Sequence, residues 1–98
     1  MKRIFAVTRT RGQDYDSSRP LEEQLEWRIH AEFMDALYAE GFVLLAGPLE
    51  GTQNVLLIVR AGNADEINAR LAEDSWTRNG LLRTTEIAPW TLRLGSLG

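Results

Sequence analysis

Apolar residues recur along this chain with two different periods, and each change of period marks a new element. Residues 2–9 (KRIFAVTR) alternate, with Arg3, Phe5 and Val7 on one side and Ile4, Ala6 and Thr8 on the other, as in a strand. Residues 10–19 (TRGQDYDSSR) are rich in Gly, Asp and Ser and predict a loop. The period then lengthens. Leu21, Leu25, Ile29, Phe33 and Leu37 recur at four-residue spacing, with Met34 and Tyr38 beside them. That stripe predicts an amphipathic helix of about five turns. Pro20 suits its first turn, where the missing N–H would be unpaired anyway. Ser18 is the expected cap, and Glu22, Glu23 and Glu26 suit the positive end of the helix dipole. Gly41 is a good terminator.

Two strands follow, 42–48 (FVLLAGP) and 54–60 (NVLLIVR), with LEGTQ as the turn between them. Positions 55–59 are all apolar, so this strand should be covered on both faces. Asn63 and Glu66 are spaced as a capping box, which opens a short helix through Ile67 and Leu71. Residues 74–80 (DSWTRNG) predict a turn or a short extra helix. Residues 82–94 predict a last strand, interrupted at Pro89, along which Trp90, Leu92 and Leu94 alternate. The order β-α-β-β-α-β is the ferredoxin-like α+β arrangement: a four-stranded antiparallel sheet with two helices on one face, in a single domain over 1–98. Two helices cover only one face. The apolar residues that strand 54–60 turns the other way need a second apolar surface. In so short a chain the simplest one is another copy, so a homodimer packed sheet to sheet is expected.

Composition narrows the function. With 98 residues, 44% hydrophobic and 26% charged, the chain has the size and make-up of one globular domain. It has no cysteine, which excludes disulfides, thiolate nucleophiles and iron–sulfur clusters. No apolar run nears the roughly 20 residues that cross a bilayer. MKRIFAVTRTRG has too short an apolar run for a secretion signal. A cytoplasmic protein without a membrane partner is expected. The net charge of −3 and the lack of a basic run argue against nucleic acid. Charge is nonetheless uneven: residues 1–20 carry Lys2, Arg3, Arg9, Arg11 and Arg19, whereas residues 21–40 carry six acids against Arg28. Either these are solvated faces, or Arg9 and Arg11 draw in an anionic ligand.

His30 is the single histidine. At 100° per residue it falls within roughly 60° of Phe33, Met34 and Leu37, on or beside the buried stripe. It is either a satisfied histidine at the core edge or a general acid/base. Glu26, one turn upstream, could pair with it, whereas Asp35 points away. Asp74 is placed to cap the turn that follows it, and it could also reach His30, because both helices pack on the same sheet face. Trp27, Trp76 and Trp90 are read as core residues. No HExxH-type spacing suggests a metal, and no Gly-rich phosphate loop suggests a nucleotide, so no cofactor is expected.

The run HAEFMDALYAEGFVLLAGP (30–48), the segment EDSWTRNGL (73–81) and the pair Pro89-Trp90 together resemble the YCII-related family, in the same order and over nearly the whole chain. Ser75 stands where that family usually has proline. The resemblance implies the dimeric α+β barrel superfamily, which includes muconolactone isomerases and small monooxygenases. It also implies an active site built on His30 and Asp74, with Gly47 and Pro48 shaping the adjacent loop. The expectation is therefore a YCII-like, cofactor-independent enzyme. It would act on a small metabolite by His/Asp acid–base chemistry, with Arg9 or Arg11 holding an anionic group. The alternative is a non-catalytic dimeric module that binds a small ligand or a protein.

Overall fold

The computed structural model describes residues 1–97; Gly98, the last position of the expected domain, lies outside the described residues. Strands β1 (Arg3–Arg11), β2 (Val43–Pro48), β3 (Asn54–Ala61) and β4 (Leu82–Pro89) form one antiparallel sheet in the order β2-β3-β1-β4. Helices α1 (Trp27–Ala39), α2 (Ala64–Leu71) and α3 (Ser75–Arg78) complete a ferredoxin-like α+β fold. Alternation along β1 and β3 puts Phe5, Val7, Leu57, Val59 and Ala61 on the helix side, where they meet Leu37 of α1 and Ile67 and Leu71 of α2. Each of these Phe, Val, Leu and Ile side chains contributes about 1.5–3 kcal/mol on burial. Ile4, Ala6, Leu56 and Ile58 alternate onto the other face, and Leu45 pairs with Ile58 there. None of the helices among the described residues is long and apolar enough to cross a membrane.

The box at the start of α2 closes with a one-residue shift. Asn63 Oδ1 accepts from the Glu66 N–H at 2.9 Å, while Glu66 Oε1 accepts from Gly62 rather than from Asn63. At the far end of β1, the Gly12 N–H donates to the Leu81 carbonyl at 2.9 Å. A Cβ on Gly12 would lie 2.0 Å from the Gly80 oxygen. Only glycine allows this approach, which holds the last residues of β1 close to the α3–β4 junction.

Four expectations are corrected. The first helix does not begin near Pro20 and Ser18 does not cap it. Instead, Leu21–Glu23 form one 3₁₀ turn, Gln24 is extended, Glu26 is left-handed (φ 59°), and α1 starts at Trp27. Tertiary bonds override the helical period here. The buried Gln24 amide donates to the carbonyls of Asp16, Arg19 and Pro20 and accepts from the Asp16 N–H, and the Trp76 indole takes the Leu25 carbonyl at 2.7 Å. Ser18 bonds back to Asp16. The four-residue stripe is accordingly split: Phe33 and Leu37 pack into the core as expected, whereas Leu25 is 68% and Ile29 56% exposed. The first strand runs on to Arg11, so Thr10 and Arg11 are sheet residues rather than loop. The last strand stops at Pro89 instead of continuing to 94: the Trp90 N–H makes one more bond, to the Ile4 carbonyl, and β1 offers no partner beyond its own start at Arg3. Trp90 is correspondingly 44% exposed and not part of the core.

Candidate functional site

Three segments converge on one buried carboxylate. His30 faces the sheet from the first turns of α1, Arg9 projects from β1 on the same side as Phe5 and Val7, and Asp74 ends the short link between α2 and α3. Asp74 is 0% exposed. Both its oxygens lie 2.9 Å from His30 Nδ1, and Oδ2 also accepts from Arg9 Nη1 at 2.8 Å. Oδ1 accepts from the Trp76 backbone N–H at 3.1 Å, so Asp74 caps α3 as well as reaching His30. Arg9 Nη2 donates to Thr77 Oγ1, whose own hydroxyl donates to the Leu71 carbonyl at 2.7 Å. Burial alone would raise the Asp74 carboxyl. The hydrogen bonds and charges of His30 and Arg9 outweigh it and hold the group below the usual carboxylate value.

Nδ1 of His30 donates to an acid that is ionised at neutral pH, so the neutral ring keeps its lone pair on Nε2. Among the described residues Nε2 makes no hydrogen bond. The ring is further fixed by Trp76, whose indole stacks on it at 3.9 Å between centroids and 3° between planes. Trp27 lies 5.9 Å from His30 and 5.8 Å from Trp76, and Tyr15 meets Trp76 edge-on.

A cavity of about 350 Å³ opens beside this cluster. His30, Arg9 and Arg11 contribute its polar lining, and Trp27, Trp76, Met34, Val55, Leu57 and Leu82 most of its apolar wall. Gly47 and Pro48 of β2 also line it, and the space around Gly47 is open. Asp35 lies at its exposed rim, without contact to His30, and the Glu26 side chain makes no bond to His30 either. Arg11 is not part of the carboxylate cluster; its guanidinium lies over the Tyr15 ring at 4.4 Å. The Nε atoms of both Arg9 and Arg11 are buried without a hydrogen-bond partner. An unmet buried donor costs about 1–3 kcal/mol. Among the described residues no three His, Asp or Glu side chains come together in a way that could hold a metal ion.

Sequence reasoning missed the Trp76 stack, the Thr77 contact and the role of Arg9. The sequence offers Arg9 beside Arg11 as a binder of anions. Two of its donors are spent inside the protein, on Asp74 and Thr77. The signal was present: alternation puts Arg9 on the same side as Phe5 and Val7, and an arginine at a core-facing position needs a buried acceptor.

A four-stranded sheet with all helices on one face, and a polar cluster opening into a cavity beneath them, places the molecule among the ferredoxin-like α+β proteins. The chain belongs to the YCII-related family, whose domain model matches residues 10–91. Among solved structures it is similar to 5-chloro-2-hydroxyhydroquinone dehydrochlorinase from Burkholderia phenoliruptrix AC1100, in complex with 2,5-dihydroxybenzoquinone. The two share 22% identity over 90% of this chain and 93% of that one, with a TM-score of 0.65. No curated protein matches the sequence.

Proposed function

We propose that this chain is a cofactor-independent acid–base catalyst for a small planar metabolite, with His30 Nε2 as the proton acceptor and donor. The observation that carries the proposal is the His30–Asp74–Arg9 chain. The acid fixes the imidazole tautomer and ring plane, the hydrogen bonds from His30 and Arg9 keep the acid ionised, and the free nitrogen is left beside an open cavity. In this role His30 takes a proton from an acidic C–H or O–H of the substrate. It returns that proton at another position in an isomerisation, or to solvent after a leaving group departs. Neither route needs an external oxidant. The cavity lies at the small end of the roughly 300–1,000 Å³ usual for ligand sites, and its indole walls suit a flat ring. The similar solved structure is named for an enzyme of a hydroxylated six-membered ring, which agrees with this substrate class. Arg9 and Asp74 are the positioning residues, and Gly47 and Pro48 border the substrate. We propose further that the working unit is a homodimer joined through the open sheet faces.

The test follows deuterium exchange from solvent into a panel of small enolisable ketones and hydroxyquinones by NMR. The protein should accelerate exchange for at least one of them. His30→Gln should lower that rate by about 10²–10⁴-fold, the usual share of a general acid/base, in a protein that circular dichroism shows to be folded. Equal rates in the two proteins would refute catalysis by His30. Unchanged ligand binding without turnover in either protein would make the cavity a binding site only.

A further inference from the structure

The cavity contains a positive charge that its own carboxylates do not balance. Arg9 is matched by Asp74 at 2.8 Å. Arg11, two residues further along β1 and therefore on the same side of the sheet, makes no ion pair among the described residues. Its flat guanidinium is held against the Tyr15 ring, and its Nε is buried with no acceptor. The Arg9 side chain, 1% exposed, likewise leaves its Nε without a partner. The carboxylate at the cavity edge, Asp35, is exposed and screened by water. Two unmet guanidinium donors therefore share the side of the sheet that His30 faces, in a site whose remaining walls are mostly apolar. The buried Nε atoms are closed to a ligand, but the Arg11 terminal nitrogens make no hydrogen bond among the described residues and Arg11 lines the cavity, and a guanidinium is suited to a planar oxyanion.

We infer that the substrate is a small planar anion, carrying a carboxylate or an ionised enol oxygen, and that Arg11 is the residue that selects for its charge. The inference deepens the acid–base reading and rests on the cavity being its substrate site. It assigns Arg11 to recognition and leaves Arg9 in its positioning role. Binding an enolate-forming substrate through its oxygen would also place the neighbouring C–H near His30, which makes charge recognition and proton transfer two parts of one pose.

Two matched pairs of probes separate charge from shape: benzoate against benzamide, and ionised 1,3-cyclohexanedione against cyclohexanone. Binding is read by quenching of Trp27 and Trp76 fluorescence and checked by calorimetry. The wild-type protein should bind at least one anion more than about tenfold tighter than its neutral partner, as expected of a charge-assisted hydrogen bond. Arg11→Met should abolish that preference by weakening the anion alone, and Arg11→Lys should restore part of it. Circular dichroism establishes that each variant is folded, and the Arg11→Lys arm decides the matter should Arg11→Met not fold. Equal affinity for anion and neutral partner, a preference that survives in either variant lacking the guanidinium at full strength, or no binding of either anion would overturn the inference. Repeating the titrations in His30→Gln keeps the two readings apart. Loss of exchange activity concerns His30, whereas an intact anion preference in that variant supports Arg11 on its own.

Discussion

Asp74 accepts from His30, Arg9 and a backbone N–H, with no exposure to water. It is the residue on which the site's geometry depends. Removing one member of a buried charge pair typically costs about 3–5 kcal/mol, because the other charge is left unmet. Asp74→Asn should therefore lose about that much stability in urea unfolding at neutral pH. The same group sets a pH signature. Its folded carboxyl lies below the unfolded value of about 3.9, for the causes given above. Between the two values the unfolded chain binds the extra proton, so stability rises with pH. The contribution is complete above about pH 4 and is lost as pH falls through the folded value. Asp16 is also held low, by its side-chain and backbone hydrogen bonds from Ser18, and adds a slope of the same sign. The urea midpoint of Asp74→Asn should then fall less steeply below pH 4 than that of the wild type. Parallel acid limbs would show that Asp74 carries no such linkage. The residue types of the site could be read in the sequence, because His30 is unique and sits on the sheet-facing arc of its helix. Its acid was also legible, since both helices pack on one sheet face and the family resemblance pairs His30 with Asp74; what could not be read is that Arg9, 65 positions from Asp74, binds the same carboxylate.

Helix α1 shows how an element can be displaced by contacts from outside it. Its expected first turns give way to a 3₁₀ turn and a left-handed Glu26. A non-glycine residue in that conformation costs roughly 1–2 kcal/mol. Glu26→Gly should recover part of it, up to about 1 kcal/mol after the added flexibility of the unfolded chain is counted. The thermal midpoint should then rise by a few degrees, about 4–8 °C per kcal/mol for a domain this size. A midpoint lowered by Glu26→Gly would mean that the turn is not strained. The displacement matters for the site. It starts the helix at Trp27, close to His30, and leaves the Leu25 carbonyl free to anchor the indole that stacks on the imidazole.

At the scale of the whole molecule, the sheet has one face covered by helices and one on which Ile4, Ala6, Leu45 and Leu56 are at least partly exposed and uncovered by any helix. A second copy would cover this surface, and a stable interface of that kind buries about 1,600 Å² in total. Light scattering at micromolar concentration should report about twice the 11.1 kDa of the chain. Leu45→Lys, at a residue that is 56% exposed in the single chain, puts a charge into the proposed contact and should shift the mass toward that of one chain. A single-chain mass for the wild type would refute the dimer.

The sequence by itself determined the order of the elements and the ferredoxin-like sheet. Both rest on local quantities: strand alternation, glycine and proline breaks, and the cap at Asn63. It did not determine which side of β3 faces the helices, because positions 55–59 are apolar on both faces of the pleat. Tertiary structure alone decided the features that need distant chain segments. Gln24 and Trp76 pulled the segment after Pro20 out of its helical period, a change no local window contains. Asp74 and Arg9 found each other across 65 positions, turning an apparent anion binder into an internal partner and leaving Arg11 as the unbalanced charge of the cavity. Long-range pairing of this kind is settled by what each buried polar group must meet once the chain is compact, and periodicity carries no record of it.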